Sequence, residues 1–381
     1  MLKPDYHRSI VNLISALAGT HAPAAELYPP LASLADARLD QRPVVLLVID
    51  GLGDRWLQQY PGSFLARHRR ERLTSVFPTT TAAAVTALAL GVPAQQHGIP
   101  GWFTYLRELG GVVMPLPFMP RGGSTSFAEQ GVRAESMLGC QPLLPRLWRS
   151  VSVAQPAYIA DSPYSVALFG DVPRRPHRSL AQFFQQLQSA AREDSGVWVW
   201  GYWTELDALG HQFGINSPEV AAHFAELDSG IRRLAEDLAG TDTLLLVTAD
   251  HGLVDTSPAE TVMLSRHPQL QDLLALPLCG EPRAAFCYLR EGCGDAFDDY
   301  LRSELPAIDN YSSEQLMDQG LFGLGVPMAE LGRRIGDRIL LPRERWVVRD
   351  TLLQEHFHPM IGVHGGLSED ELYVPLIRCE P

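Results

Sequence analysis

The fold is decided by the stretch Val44-Val45-Leu46-Leu47-Val48-Ile49-Asp50-Gly51, in which six apolar residues in a row stop at an acid and a glycine. Continuous rather than alternating apolar character is typical of a strand in a parallel sheet that is covered on both faces. Residues 244–247, which lead to Asp250, and residues 197–200, which lead toward Asp207, repeat the pattern. Ligands bind in such sheets at the carboxyl ends of the strands, so we expect these three acids to converge on one crevice.

Helical patterns lie between these strands. Ser217 and Pro218 offer an N-cap and a first turn, and apolar residues then recur at three- and four-residue steps as far as Leu238, before Gly240. The next predicted strand follows directly. This alternation predicts an α/β fold with a mostly parallel central sheet and helices on both faces.

A looser pattern follows the last of these strands. Short strands are predicted at residues 284–289 and 338–341, with a helix at residues 295–305 between them. We therefore expect a single catalytic domain over residues 1–381, in which a smaller α+β lobe at about 255–345 is inserted over or beside the site.

The composition is that of a globular protein, and it excludes several classes. Of the 381 residues, 46% are hydrophobic and 20% are charged, which fits neither a disordered chain nor a fibre. A net charge of −13 argues against binding to a nucleic-acid polymer, because phosphate backbones attract basic surfaces. Five cysteines without a Cys-x-x-Cys pair fit a reducing compartment, and we expect the cytoplasm.

Two further stretches have structural interpretations. No apolar run approaches the roughly 18 residues of a membrane span, and residues 10–19 predict a short amphipathic helix rather than a secretory segment. The basic cluster at residues 67–72 could be an anion-binding patch, but a solvated helix end is the commoner interpretation. The sequence leaves the oligomeric state open.

Carboxylates and imidazoles occur where they could bind metal ions. Any one of them alone is more commonly a turn former, a helix cap or a hydrogen-bonded histidine. Asp207 and His211 are four residues apart, so one helical turn would bring both side chains to one side. Three acids in one crevice would repel one another unless cations compensated them, and oxygen and nitrogen ligands without thiolates favour two divalent ions, Zn²⁺ or Mn²⁺. The candidate ligands are Asp50, Asp207, His211, Asp250, His251 and His364.

A run of threonines precedes a predicted helix. Residues 82–90 are strong helix formers, Gly91 is a stop, and Thr81 is expected at the N-cap. A hydroxyl group there would lie beside free backbone N–H groups and the positive end of the helix, which suit a phosphoryl oxygen, and a metal ion would acidify it. Alternatively, Thr79, Thr80 and Thr81 merely cap the helix.

Five motifs, taken in chain order, carry a resemblance to a known family. They are the strand ending in Asp50, Phe-Pro-Thr-Thr-Thr at residues 77–81, Asp207-x-x-x-His211, Asp250-His251-Gly252 and His364-Gly365-Gly366. Together they resemble the alkaline phosphatase superfamily, and most closely its type I phosphodiesterase and nucleotide pyrophosphatase branch. The metal sets that the resemblance implies are Asp50, Asp250, His251 and Thr81 for one ion, and Asp207, His211 and His364 for the other.

The resemblance also ranks the remaining candidates. It implies Thr81 as the nucleophile, because the family's nucleophile begins the helix ten positions before a glycine, and Thr80 is the second choice. His364 is preferred to His356 and His358, because two glycines follow it and leave room beside a metal ion. His97 has no ligand position left and is expected either to be structural or to support a ligand from behind.

Departures from the family pattern concern the substrate. Nucleotide pyrophosphatases have an Asn that donates to a phosphate oxygen shortly after the nucleophile, whereas this chain has alanines at 82–84. Arg107 is a candidate to contact phosphate instead, as an Arg or Lys does in monoesterase relatives. Trp102 and Tyr105 could stack on a planar leaving group or could belong to the core. The choice between phosphodiesters and phosphomonoesters therefore stays open.

The expected function is metal-dependent hydrolysis of a small phosphate ester through a phospho-threonine intermediate. One alternative keeps the metals but acts as a phosphomonoesterase, phosphotransferase or mutase of the same superfamily. Another is a metal-binding relative without catalysis, but such relatives usually lack a ligand or the nucleophile, and here all seven positions are filled.

Overall fold

A computed structural model describes residues 1–193, 196–353, 355 and 359–380 of the chain. Its strands form one large sheet and several small ones. In chain order the strands are β1 Val44–Ile49, β2 Arg69–Thr74, β3 Thr104–Leu106, β4 Gly111–Met114, β5 Met119–Pro120, β6 Val151–Pro156, β7 Arg174–His177, β8 Trp198–Trp203, β9 Leu244–Thr248, β10 Val254–Asp255, β11 Thr261–Met263, β12 Cys279–Glu281, β13 Ala284–Cys287, β14 Ile308–Ser312, β15 Arg338–Pro342, β16 Val347–Arg349, β17 Gly362–Val363 and β18 Tyr373–Cys379.

The large sheet is the centre of the molecule. Within the described residues it has seven strands in the order β2-β18-β9-β1-β8-β6-β7. β1 pairs in parallel with both β8 and β9, so that Val44 lies opposite Trp198 on one side and Leu244 on the other. All six residues of β1 are buried, which is the reason for its uninterrupted apolar sequence. β18 is antiparallel to both of its neighbours.

Helices pack against this sheet and connect its strands. In α9 the Ser217 side chain accepts from the backbone N–H of Val220, and Pro218 occupies the first turn, as the sequence predicts. In chain order the helices are α1 Ile10–Ala18, α2 Asp54–Leu57, α3 Phe64–His68, α4 Thr81–Leu90, α5 Ala94–His97, α6 Pro163–Phe169, α7 Leu180–Ala191, α8 Glu205–Phe213, α9 Pro218–Asp237, α10 Pro268–Asp272, α11 Gly294–Glu304, α12 Ser313–Asp318, α13 Leu331–Arg334 and α14 Glu369–Leu372.

A second sheet lies between β9 and β18 in the chain. It has the order β12-β13-β15-β14 with antiparallel pairing, and α11 follows β13 as predicted. Its side chains build an apolar cluster of their own, which includes Phe297, Leu301 and Leu340. The sheet is joined to the rest of the chain through paired backbone hydrogen bonds between Phe103 and Gly280. The limits of an inserted lobe at about 255–345 stay a prediction.

The predicted α/β fold with a large, mostly parallel central sheet is confirmed, and so is the short helix predicted at residues 10–19, which is α1, with all of its residues except Ala16 buried. One local prediction is wrong. The basic cluster at residues 67–72 is not simply a helix end: α3 stops at His68, and the chain continues as β2 on the edge of the central sheet. None of the described helices is long and apolar enough to cross a membrane.

Candidate metal centre

Three buried acids meet at the carboxyl ends of the central strands. Asp50 follows β1, Asp250 follows β9, and Asp207 lies in the first turn of α8, directly after β8. Their exposed fractions are 3%, 0% and 8%. Because β1 pairs in parallel with β8 and β9, the three chain segments leave the sheet at the same edge. The convergence that the sequence predicts is therefore present.

Each of these acids has a carboxylate oxygen that needs a partner. Among the described residues, Asp50 Oδ1, Asp207 Oδ1 and Asp250 Oδ2 are buried and accept no hydrogen bond. Burial, and then the neighbouring carboxylates, hold the pKa of Asp50 well above its ordinary value, and burial raises the pKa of Asp250. Unsatisfied, mutually repelling oxygens are what divalent cations would satisfy, so the acid set fits the metal ions that the sequence predicts.

Two clusters of ligand atoms lie in this crevice. One joins Asp50, Asp250 and His251, and the other joins Asp207, His251 and His364. Within each cluster the ligand atoms are within 4.8 Å of one another. His211, one turn after Asp207, places its Nε2 3.1 Å from Asp207 Oδ2. All six side chains that the sequence singles out as ligands are thus brought together.

The three histidines of the centre are oriented alike. Each ring has its Nδ1 within hydrogen-bond distance of a backbone carbonyl oxygen, which can only accept, so each Nδ1 carries the proton. With a metal ion bound, each Nε2 would be the lone-pair donor, the arrangement that metal-binding histidines adopt. The carbonyl acceptors are Gly362 for His211 at 2.8 Å, Gly252 for His251 at 3.2 Å and Thr79 for His364 at 3.1 Å.

Charge is distributed unevenly among these rings. Burial, and then His251, hold the pKa of His364 well below its ordinary value, so this ring is neutral. Burial opposes the charged form of His211 as well, but Asp207 beside it raises the pKa of His211 to about 9. Asp207 and His211 therefore form an ion pair in the metal-free chain, and a cation bound between them would take the place of the imidazolium proton.

The three threonines before α4 have separate roles. Thr79 Oγ1 donates to the Gly366 carbonyl oxygen at 2.7 Å, and Thr80 Oγ1 donates to Glu281 Oε1 at 2.6 Å. Thr81 Oγ1 instead lies 3.1 Å from Nε2 of His251, the histidine that both ligand clusters share. Thr81 is thus the one of the three whose hydroxyl group contacts a candidate ligand.

The predicted N-cap of α4 is wrong by one residue. Thr80 is the N-cap, with extended φ −138° and ψ 148°, whereas Thr81 is the first helical residue. The Thr80 side chain does not cap the helix, so the first-turn N–H groups have no acceptor from the N-cap residue. Gly91 ends α4 as predicted, in the left-handed conformation with φ 74°. The helix start therefore combines the Thr81 hydroxyl group with free N–H donors.

A cavity of about 1030 Å³ opens beside these residues. Its lining includes functional residues that the sequence did not single out. Glu281 of β12 lines it together with Thr80 and Thr81. Burial raises the pKa of Glu281 to about 7. No sequence signal marks Glu281, because its neighbours in the cavity are far away in the chain. Tyr202 is a second missed residue, and its hydroxyl group donates to Asp50 Oδ2.

Of the three candidates for substrate contact, one lines the cavity and two do not. Trp102 lines the cavity, whereas Arg107 and Tyr105 do not. Arg107 lies in a short 3₁₀ turn after β3, and the Tyr105 ring packs edge to face on Tyr288. The cavity is lined instead by Arg121, which the sequence did not single out. Arg107 and Tyr105 thus lie outside the cavity lining, Tyr105 in the packed position that the sequence also allows, because the segment that carries them folds into the β3 hairpin.

His97 and Ala84 have structural positions. His97 is fully buried, and burial lowers its pKa to about 3, with Nε2 3.1 Å from the Ala83 carbonyl oxygen. His356 and His358, the alternatives to His364, lie outside the described residues. Ala84 is buried in α4 and offers no donor to a ligand.

Comparison with known proteins agrees with this geometry. A family model for type I phosphodiesterase / nucleotide pyrophosphatase matches residues 44–367. No curated protein sequence matches the chain significantly. Among solved structures, murine ectonucleotide pyrophosphatase / phosphodiesterase 5 is similar over 90% of this chain and 88% of its own, with a TM-score of 0.68 and 18% identity.

Two further structures show the same fold. An inactive variant of the murine enzyme in complex with AMP covers 88% of this chain and 87% of its own, with a TM-score of 0.67 and 18% identity. Phosphonoacetate hydrolase from Sinorhizobium meliloti 1021, in complex with phosphonoformate, covers 89% and 90%, with a TM-score of 0.63 and 18% identity. Since the family model spans most of the sequence, the chain belongs to the type I phosphodiesterase / nucleotide pyrophosphatase family and is a phosphoester hydrolase.

Proposed function

We propose that the chain hydrolyses phosphodiesters with Thr81 as the nucleophile at a centre that binds two divalent cations. The observation that carries the proposal is the position of the Thr81 hydroxyl group, 3.1 Å from His251 Nε2. His251 belongs to both clusters of ligand atoms, so Thr81 Oγ1 lies at their junction. Among the neighbours, the inactive variant of the murine enzyme in complex with AMP carries a threonine-to-alanine change, which is consistent with a threonine nucleophile.

The ligand atoms fall into two sets. When bound, Zn²⁺ or alternatively Mn²⁺ would lower the pKa of the Thr81 hydroxyl group and neutralise charge on the phosphate. The unpartnered oxygens of the three acids and the Nε2 atoms of the three histidines are the atoms that would hold the cations. The proposed sets are Asp50, Asp250, His251 and Thr81 for one cation, and Asp207, His211 and His364 for the other.

The chain's own groups determine the course of the reaction. Thr81 Oγ attacks phosphorus in line, the bond from phosphorus to the leaving oxygen breaks, and phospho-Thr81 forms. A water molecule then attacks the same phosphorus, breaks its bond to Thr81 and releases the phosphomonoester. Protons pass from the Thr81 hydroxyl group to solvent and from water to the two leaving oxygens. The free N–H groups at the start of α4 stabilise the negative charge that develops on the phosphoryl oxygens.

The charges around the cavity favour a diester over a monoester. Arg121 is buried and donates to Asp350 at 2.6 Å and to both carboxylate oxygens of Glu355 at 2.8 and 3.0 Å. Its charge is therefore already balanced by two acids. A substrate with a single negative charge, a phosphodiester, suits such a site better than a dianionic monoester does.

Acid quenching during turnover tests this proposal. The protein is mixed with bis-p-nitrophenyl phosphate in the presence of Zn²⁺ or Mn²⁺, quenched within milliseconds, digested and analysed by mass spectrometry. We expect release of p-nitrophenolate and a peptide that carries a p-nitrophenylphosphoryl group on Thr81. Turnover that leaves this group on Thr80 would contradict the mechanism. So would the absence of any modified peptide under conditions where product appears in a burst.

The range of substrates needs a separate screen. The neighbours' ligands include a nucleotide and a phosphonate, so a panel should contain nucleotide diesters, simple aryl diesters, phosphomonoesters and phosphonates. We expect the highest kcat/KM among the diesters. A preference for phosphomonoesters or phosphonates would replace the proposed substrate class while leaving the nucleophile in place.

A further inference from the structure

One buried carboxylate in the cavity has no part in the proposed metal sets. Glu281 Oε1 accepts hydrogen bonds from Thr80 Oγ1 at 2.6 Å and from the Trp102 backbone N–H at 2.7 Å. Glu281 is 8% exposed, and that small surface lines the same cavity as Thr81. A carboxylate from the second sheet is therefore fixed against the residue next to the proposed nucleophile.

The backbone around Glu281 leaves it little freedom. Gly280 has φ 74° and forms two backbone hydrogen bonds with Phe103, at 2.6 and 3.3 Å. On the other side, a Cβ atom placed on Gly365 would lie 2.7 Å from the Glu281 Cβ. Gly365 follows the candidate ligand His364 in the chain. Glu281 is thus held between the segment of Thr81 and that of His364, and a side-chain rotation cannot carry it far from the centre.

The charge of Glu281 acts on the centre itself. Glu281 lines the same cavity as His211 and His364 of one proposed metal set, and as Arg349. In the proposed centre the three ligand acids and an ionised Thr81 balance two divalent cations, and the cavity lining adds Glu281 and the cation Arg349 beside them. The Glu281 carboxylate is fixed by its hydrogen bond from Thr80, the neighbour of Thr81, so a ligand bound at Thr81 shares the cavity with this negative charge.

We propose that Glu281 is a specificity-determining residue that selects monoanionic phosphodiesters against dianionic phosphomonoesters. The inference rests on the proposed function and names the feature that discriminates between its substrates. A second charge on the phosphate increases the repulsion by Glu281, whereas an ester group in its place does not. The carboxylate thus acts by repelling the wrong substrate rather than by binding the right one.

The test compares two substrates that share a leaving group and differ by one charge. Methyl p-nitrophenyl phosphate is a monoanion, and p-nitrophenyl phosphate is a dianion at pH 8.5, where Glu281 is ionised. The variant Glu281→Gln keeps an oxygen to accept from Thr80 and Trp102 but removes the charge. We expect kcat/KM for the monoester to rise by about tenfold relative to that for the diester, a change equal to one unit of pKa in energy.

A control variant separates charge from position. Thr80→Val removes the hydroxyl donor and leaves the Glu281 charge in place, so the ratio of diester to monoester kcat/KM should stay at its wild-type value. The same shift in both variants would mean that Glu281 only positions the threonine segment, and an unchanged ratio in Glu281→Gln would overturn the proposal.

Two further results separate this inference from the proposed function. If Glu281→Gln lost a stoichiometric metal ion by elemental analysis, Glu281 would be a ligand, and the charge-selection proposal would be wrong. If the wild-type protein hydrolysed neither substrate with Zn²⁺ or Mn²⁺, the proposed function itself would fail. Wild-type turnover of both substrates with a ratio insensitive to Glu281→Gln would refute this inference alone.

Discussion

The two walls of the cavity are built in different ways. One wall carries Asp50, Asp207 and Asp250, which regular parallel strands deliver to a single edge of the central sheet. Other residues of the cavity lining, Arg121 and Glu281, form the second wall and are placed by hydrogen bonds to residues far away in the chain. We propose that the first, regular wall carries the chemistry and that the second, irregular wall carries the choice of substrate and part of the stability.

The largest loss of activity is expected when Thr81, beside the regular wall, is substituted. Thr81→Ala removes the proposed nucleophile and should lower kcat for bis-p-nitrophenyl phosphate by at least about 10³-fold, as the loss of a catalytic nucleophile does in other enzymes. The metal content and the melting temperature should change little, because six other ligands remain. Wild-type turnover by this variant would exclude Thr81 from the mechanism.

The next largest effects are expected from substitutions at two buried histidines, one a proposed ligand and one structural. His364→Ala removes a proposed ligand and should weaken binding of one cation by about 10-fold or more, together with a fall in kcat. His97→Ala should instead lower the free energy of unfolding by about 2–4 kcal/mol, because it removes a ring that bonds to Ala83 and Ile99 and leaves a cavity. Metal titration by calorimetry and denaturant unfolding of both variants would distinguish the two roles. Equal metal affinity in the two variants would contradict the ligand assignment.

A buried ion pair supports the irregular wall. Arg283 donates to both carboxylate oxygens of Glu371 at 2.7 and 3.0 Å, and Glu371 accepts from the Gly366 backbone N–H. Arg283→Met leaves the carboxylate unpaired and should cost about 3–5 kcal/mol of the free energy of unfolding at neutral pH. Urea unfolding measures this difference, and a loss below about 1 kcal/mol would show that the pair is not needed.

The ion pair between Arg283 and Glu371 also predicts how the free energy of unfolding depends on pH. Burial opposes ionisation of Glu371, but Arg283 and the hydrogen bonds hold its pKa below the ordinary value. The stability that an acid with a lowered pKa contributes is present above its ordinary pKa and is lost as the pH falls through the lowered one. The stability difference between the wild type and Arg283→Met should therefore be constant near neutrality and shrink in acid. A difference that grew as the pH fell would contradict the assignment.

The smallest effect is expected at Arg107. The sequence makes it a candidate for phosphate contact, but its side chain does not line the cavity. Arg107→Ala should leave kcat/KM for diesters and monoesters unchanged within about twofold, as for a surface substitution away from the site. A tenfold loss of kcat/KM would place Arg107 in the substrate site and add it to the residues of the irregular wall.

The residues of the regular wall could be predicted from the sequence, because the patterns that mark them involve residues close together in the chain. A buried parallel strand is recognised by an uninterrupted apolar run, and the acid that follows lies at the sheet edge where ligands bind. The spacing of Asp207 and His211 places both on one side of α8. Even here the helix boundary was misplaced, since Thr80 rather than Thr81 adopts the extended N-cap conformation.

The irregular wall could not be predicted, because its contacts connect distant positions. Glu281 and Thr80 are 201 residues apart, and Arg121 and Glu355 are 234 apart. No periodicity or spacing encodes such pairs in a single sequence. Arg121 and Arg107 are both arginines in the hairpin region, and only tertiary structure decides which of them reaches the cavity.

The central claim is that seven side chains from distant parts of the chain hold a pair of divalent cations beside the Thr81 hydroxyl group. Elemental analysis of purified, active protein, paired with activity before and after chelation, tests it most directly. We predict close to two Zn²⁺ or Mn²⁺ ions per chain, loss of hydrolysis when they are removed and recovery when they are restored. Full activity in protein that contains no stoichiometric divalent metal would contradict the account.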